Sequence, residues 1–216
     1  MTPRRTAALM IAAALLLNGA FTGLGIVFDY PAVLKHPPAD VLAAFQAAQG
    51  PVTAWFLALA AGAALLAPVA IGVGKLSDAR AMRWAVPVGI AAATVQVVGL
   101  LRWPLLVPGW AADGDVAAFA TANRVLGNLV GETGGYLLTA VWTALVLLAL
   151  GRAFAGRAFV GLGGVAAILI LVGVLSPLSL PLVDLANFAG YVLWSGWLVI
   201  FAALLARRGA RMPSRA

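Results

Sequence analysis

Asn123-Arg-Val-Leu-Gly-Asn-Leu-Val-Gly-Glu-Thr-Gly-Gly-Tyr-Leu-Leu-Thr-Ala-Val-Trp-Thr143 is the stretch whose reading decides the fold. From Leu129 an apolar run continues to Leu150, long enough to supply the ~20 residues that cross a bilayer as helix. The stretch also carries Glu132, the only glutamate in the chain. A helix through it places Glu132, Gly135, Tyr136, Thr139 and Thr143 on one side, at i, i+3, i+4, i+7 and i+11. A polar stripe therefore runs along a segment otherwise suited to lipid.

Composition extends that reading to the whole chain. It is 63% hydrophobic and 10% charged, with a mean hydropathy of +1.03. A soluble domain carries about 25% charged residues, so this chain has too little polar surface to cover a globule in water. The expected fold is all-α: a polytopic membrane helix bundle in contact with membrane lipids. The net charge of +7 and pI of 11.1 do not point to nucleic acid, because the charges sit in short turns between apolar runs. With no cysteine there is no disulfide, thiolate nucleophile or cysteine metal site. One histidine leaves no paired axial ligands for a haem and no multi-histidine cage. No cofactor or metal is expected.

The apolar runs number six. The first, Thr6 to about Phe28, follows a short basic start. That pattern also describes a signal peptide, but the run exceeds a usual signal core and is expected to be an uncleaved span. The second covers about Val52 to Val73, with Pro68 as its kink, and the third about Trp84 to Leu106. The fourth covers Leu129 to Leu150, the fifth about Phe159 to Leu175, and the sixth about Val183 to Ala206. Residues 1–206 form one domain, and 207–216 a basic, disordered tail. Asp40-Val-Leu-Ala-Ala-Phe begins a short surface helix with the acid in or before its first turn. Residues 109–122 form a polar loop and a second short helix. The similar runs Asp40-Val-Leu-Ala-Ala-Phe and Asp115-Val-Ala-Ala-Phe hint at a repeated helical hairpin, each with a surface helix.

An even number of spans puts both termini on one side. Arg4, Arg5, Lys75, Arg80, Arg83, Arg152, Arg157, Arg207, Arg208, Arg211 and Arg215 share that side, 11 of the 14 basic residues. The other side has Lys35, Arg102 and Arg124, with six of the seven acidic residues. Lys and Arg accumulate on the cytoplasmic side, so both termini are expected there. The basic face then meets anionic headgroups.

Arg102 ends the third span and Glu132 begins the fourth, near the outer face. A lone ionised side chain at a membrane helix centre costs roughly 2.5–3.5 kcal/mol, less near the interface or beside a partner. The pair reads as an ion pair pinning two helices, or as half of a ligand site. Asp184, Asn187, Tyr191 and Ser195 form a second stripe on the sixth span; the first span adds Asn18 and Thr22, and the third adds Gln96. If the stripes of spans one, four and six face one another, they line an outward-open cavity. Interhelical hydrogen bonds of about 0.6 kcal/mol each are the plainer account. Gly131, Gly134, Gly135, Gly161, Gly163 and Gly164 read as close helix contacts. Trp55, Trp84, Trp103, Trp110 and Tyr30 read as interfacial anchors. No Gly-x-Ser-x-Gly elbow, P-loop or paired glutamates occur.

At Leu101-Arg-Trp-Pro-Leu-Leu-Val-Pro108 and Leu126-Gly-Asn-Leu-Val-Gly-Glu-Thr-Gly-Gly-Tyr-Leu-Leu-Thr-Ala-Val-Trp-Thr143 the chain resembles domain of unknown function 4386, a group of bacterial six-helix membrane proteins. The likeness includes Gln96, the Arg102-Trp103 pair, and the Gly131-Glu132 pair followed by Trp142. It implies the six-helix layout and a place in a bacterial inner membrane, and it marks Arg102 and Glu132, without an activity. In the group a histidine often follows the Gly-Glu; here Thr133 stands there, so no Glu-His metal or proton role carries over.

The expected function is non-enzymatic: binding or transport of a small or lipidic ligand in an outward-facing polar cavity. Arg102 and Glu132 would form its centre, with Gln96, Tyr136, Asn187, Tyr191, Asp184 and Asn18 around them. A subunit packing against a partner membrane protein is the alternative. An intramembrane enzyme using Glu132 or Asp184 as acid or base is the third.

Overall fold

The computed structural model describes residues 1–178 and 180–211, with side chains through Arg208. These residues are helical almost throughout, and no strand occurs among them. Five helical stretches are long and apolar enough to cross a membrane: Pro3–Phe28, Gln49–Leu76, Arg80–Asp113, Val116–Leu178 and Val183–Arg208.

Local sequence explains where the helices start, bend and stop. Helix α1 spans Pro3–Phe28. The Thr2 hydroxyl caps it by accepting from the Arg5 N–H at 3.3 Å, and Pro3 fits the first turn, where no N–H is needed. Helix α2, Pro38–Ala47, is the first short helix. Helices α3, Gln49–Ala64, and α4, Leu66–Val73, form one stretch broken at Leu65. The break is the Pro68 kink: proline has no N–H for the Ala64 carbonyl, and its ring crowds that carbonyl. Helix α5 spans Arg80–Leu105.

Residues 107–122 depart from the expected loop and single helix. They form α6, Val107–Asp113, and α7, Val116–Ala122. Gly114 turns between them at φ +68°, a conformation that favours glycine. Asp115 then caps α7 by accepting from the Ala118 N–H at 2.9 Å.

The next segment also differs from expectation. Asn123–Gly134 is a π-helix, which leads into α8, Gly135–Val172. The range of α8 holds two helical halves joined by a kink that bends it back on itself. Its backbone leaves helical geometry at Gly151 (φ 59°), Ala155 and Gly156 (φ 78°). A Cβ added at Gly163 would lie 3.2 Å from Leu147, and one at Gly173 would lie 2.7 Å from Tyr136. Later residues meet earlier ones in reverse order, so 135–150 and 157–172 run antiparallel around a turn that carries Arg152 and Arg157, in the gap between the fourth and fifth apolar runs. Helix α9 spans Val183–Arg211. Residues 207–211, expected in the tail, are therefore helical. Arg208 donates to the Phe154 carbonyl and sits 4.0 Å over that ring. Arg215 and the rest of the expected tail lie outside the described residues.

Successive segments pack side by side in alternating directions. Thr6 meets Gly72, Leu17 meets Gly62 and Trp55 covers Gly23, which sets α1 against α3 and α4. Helix α9 returns to α1, where Asn18 donates to the Ser195 hydroxyl at 2.9 Å. The end carrying α2, α6 and α7 is the cap end; the opposite one, with Met1, Lys75 and Arg208, is the basic end.

Two buried cores fill the bundle. One, around Trp142, Trp194, Trp197 and Phe201, lies toward the basic end. The other fills the cap end around Trp103. Trp103, expected as an interfacial anchor, is fully buried. Phe56 stacks on it at 4.7 Å and 6°, and Phe28 packs edge-on at 5.2 Å. Phe45 and Phe119, the last residues of the two similar runs, both lie on Trp103, at 5.9 and 5.8 Å. The runs thus place matching aromatics on one hub. Gly161 and Gly164, expected as helix contacts, have nothing within 4 Å of an added Cβ. They lie on the outward face of α8, beside exposed Val165 and Ile168.

Candidate functional site

The site begins at a crossing of two glycines. A Cβ on Gly99 of α5 would lie 2.6 Å from the Gly131 Cα. With no side chain at either position, the two backbones touch. One turn along α5, Arg102 reaches across the same crossing. Its guanidinium lies against Gly127, where an added Cβ would sit 2.7 Å from Nη2. Only glycine leaves room for it.

Arg102 is 4% exposed. Its Nη1 donates to the Gly99 carbonyl at 2.5 Å, and its Nη2 donates to the Asn123 Oδ1 at 2.8 Å. The guanidinium carbon lies 5.2 Å from the Trp103 ring centre, a cation–π arrangement. Its Nε has no protein partner among the described residues. A buried cation thus rests on two neutral oxygens and an aromatic ring. The expected direct ion pair with Glu132 is not formed. Among the described residues the only ion pair within 4.0 Å is Lys35–Asp184.

Glu132 lies near this cation without touching it. Hydrogen bonding from i to i+5 winds a π-helix at more than four residues per turn. That winding brings Asn123, Gly127 and Glu132 toward one face, the face that meets α5. In an α-helix Glu132 would have rotated away from that line. The half-buried carboxylate is within electrostatic range of Arg102, Asp184, Tyr30, Tyr136 and Tyr191. The Tyr136 and Tyr191 rings pack edge to face at 5.8 Å. Burial raises Tyr30 above the ordinary phenol value, with Glu132 adding to the effect and Arg102 opposing it. Tyr30 therefore stays protonated and able to donate.

Other expected site residues divide into those that join this cluster and those that do not. Gln96 joins it: its amide donates to the Thr139 hydroxyl at 3.2 Å and to the Ala92 carbonyl at 3.1 Å. Thr139 leads on to Thr143, whose hydroxyl donates to the Thr139 carbonyl at 2.9 Å and accepts from the Trp194 indole at 2.8 Å. Both threonines are fully buried. The stripe on this segment is therefore a closed hydrogen-bonded seam, not the wall of an open cavity. Asn187 donates to the Ile170 carbonyl at 2.9 Å, near the end of α8, and touches the same glycine, Gly173, as Tyr136 does.

Asn18 and Asp184 do not join. Asn18 ties α1 to α9 through Ser195. Asp184 is 54% exposed, in a 2.9 Å pair with Lys35. The stripe of Asp184, Asn187, Tyr191 and Ser195 is real in helical phase but fans out to separate partners, because each position meets a different neighbouring segment.

A cleft of about 190 Å³ opens at the cap end between the 3₁₀ turn Ala32–Lys35, α2, α7 and the π-helix. Its lining includes His36, Asn123, Arg124 and Asn128, with Val41 and Phe119 as apolar walls. Sequence reading missed Asn123, which belongs to both the cleft and the Arg102 site. It missed Tyr30 as well, having taken it for an anchor. No spacing rule reveals Asn123, because its place depends on the π winding; the run of Gly127, Gly131, Gly134 and Gly135 is the one signal of a loosened helix.

A guanidinium, amides and phenols are donor types suited to a carboxylate or phosphate group. Comparison with protein-family models, with curated proteins and with solved structures gives no match.

Proposed function

We propose that the chain is an integral protein of a bacterial inner membrane, crossing it six times with both termini in the cytoplasm. The support is the hairpin within α8, which makes six segments of five stretches, together with the concentration of Lys and Arg at the basic end. Kinship with domain of unknown function 4386 is part of this proposal. It rests on the motifs around Arg102 and Glu132, which come together in space.

The proposed activity is binding or transport of a small or lipidic ligand that carries an anionic group. One observation carries it: Arg102 is buried on neutral acceptors while Glu132 lies close and unbonded. A purely structural pair gains most by direct contact, since a buried cation left without a carboxylate is costly. Here the cation keeps an unpartnered Nε, to which a different anion would bind and which Glu132 would compete for.

The test is tryptophan-fluorescence titration of the purified protein with decanoate and with lysophosphatidate. Saturable binding is expected. Arg102→Gln should abolish it, and Glu132→Gln should change the affinity while the thermal transition stays at the wild-type temperature. Wild-type affinity in Glu132→Gln would remove this reading's central residue.

A partner-subunit reading draws on the open Gly161 and Gly164 on an exposed apolar face. Small residues there would admit a helix of another protein. A stoichiometric protein retained through purification from native membrane would favour it.

A further inference from the structure

We propose that the cap-end cleft is a separate anion site, taking the phosphate group of a phosphorylated ligand or of a lipid headgroup. This goes beyond the reading above, since neither Arg102 nor Glu132 lines the cleft and its charge comes from Arg124; Asn123 is the one residue that the two sites share. Its polar lining consists of Arg124, His36, Asn123 and Asn128, and no acidic residue lines it. That is selective, because most of the chain's acids belong to this end. Asp40, Asp113 and Asp115 are all at the cap, yet none faces the cleft.

The orientation of Asn123 supplies a second, independent indication. Its Oδ1 already accepts from Arg102 at 2.8 Å. The amide nitrogen is thus the group left for the cleft, and the buried guanidinium behind it strengthens its donor character. Arg124 and Asn128 are one turn apart on the same segment and are exposed. The cleft presents donors from several sides, with an arginine suited to two-point recognition of phosphate. The cleft, about 190 Å³, has room for a phosphate group. Val41 and Phe119 give an apolar floor against which an ester chain can rest.

The test uses the full chain in detergent and in nanodiscs. Inorganic phosphate is titrated calorimetrically against the detergent-solubilised protein. In parallel, binding of phosphatidylglycerol is compared with phosphatidylcholine by native mass spectrometry. Saturable phosphate binding indicates a soluble phosphorylated ligand; selective retention of phosphatidylglycerol alone indicates a headgroup. In the arm that binds, Arg124→Gln should weaken affinity about tenfold, the loss expected for one charge-assisted contact. Asn128→Ala should weaken it less, and Arg152→Gln, at the opposite end, should leave it unchanged. Absence of saturable binding in both arms, or wild-type affinity in Arg124→Gln, would overturn the proposal.

Discussion

Gly99→Ala perturbs the one crossing on which the candidate site depends. The added Cβ would stand 2.6 Å from the Gly131 Cα and 2.9 Å from the Leu126 carbonyl oxygen. Both are backbone atoms, so no rotamer change can relieve the clash. Ordinary contact begins at 3.4 Å, so α5 and the π-helix must part by about 0.8 Å. The Arg102–Asn123 hydrogen bond is 2.8 Å long and spans the same gap. Lengthened by that opening it reaches about 3.6 Å, beyond hydrogen-bonding distance. Overpacking costs about 1–3 kcal/mol, and losing a hydrogen bond to a charged group adds to it, giving an expected loss of about 2–4 kcal/mol. Titration with sodium dodecyl sulfate in mixed micelles, followed by tryptophan fluorescence, measures this. Gly131→Ala meets its neighbours at 3.0 and 3.1 Å and should cost less. Gly19→Ala meets nothing within 4 Å and should be nearly neutral. If Gly99→Ala unfolds at the same midpoint as Gly19→Ala, the close crossing and the site geometry built on it are wrong.

Trp103→Ala should lower stability by about 3–5 kcal/mol, because it removes the ring on which Phe28, Phe45, Phe56 and Phe119 converge; thermal unfolding followed by near-ultraviolet circular dichroism reads the loss, and a shift no larger than that of an exposed Trp84→Ala would count against the hub. Gly156→Ala should destabilise the turn in α8 by about 1–2 kcal/mol, since its φ of 78° disfavours a Cβ; limited proteolysis between Gly151 and Arg157 should speed up, and an unchanged cleavage rate would contradict the turn. Asp184→Asn should cost under about 1 kcal/mol, because both members of its pair with Lys35 are exposed; a larger loss in the detergent titration would mean the pair clasps the cap to α9.

Apolar runs and turn residues carried most of the architecture. A run of about twenty apolar residues has few ways to satisfy its backbone in lipid, and helix is the simplest. Pro68 marked its kink, because proline acts on the backbone directly; the gap between the fourth and fifth apolar runs, with Arg152 and Arg157 in it, marked the reversal. Gln96, Glu132, Tyr136 and Tyr191 were legible as a polar set because lipid makes each one conspicuous. The sequence alone could not give their partners. Their positions at adjacent span ends joined Glu132 to Arg102 as an ion pair or half of a ligand site, and shared stripes assigned Asp184 and Asn18 to the same cavity.

Tertiary structure decided the rest. The π-helix over Asn123–Gly134 changed the phase, and with it the residue that meets Arg102. Asn123 took the guanidinium because the Gly99–Gly131 approach brings α5 to that turn, a distance of backbone contact that no single segment encodes. Trp103 went inward because aromatics from four other segments enclose it; as one residue near a helix end it reads as an anchor. Local sequence determines which segments are helices, since that is a contest between a backbone and its solvent. Which side chains meet is determined by the crossing of distant segments, and only the folded chain contains those crossings.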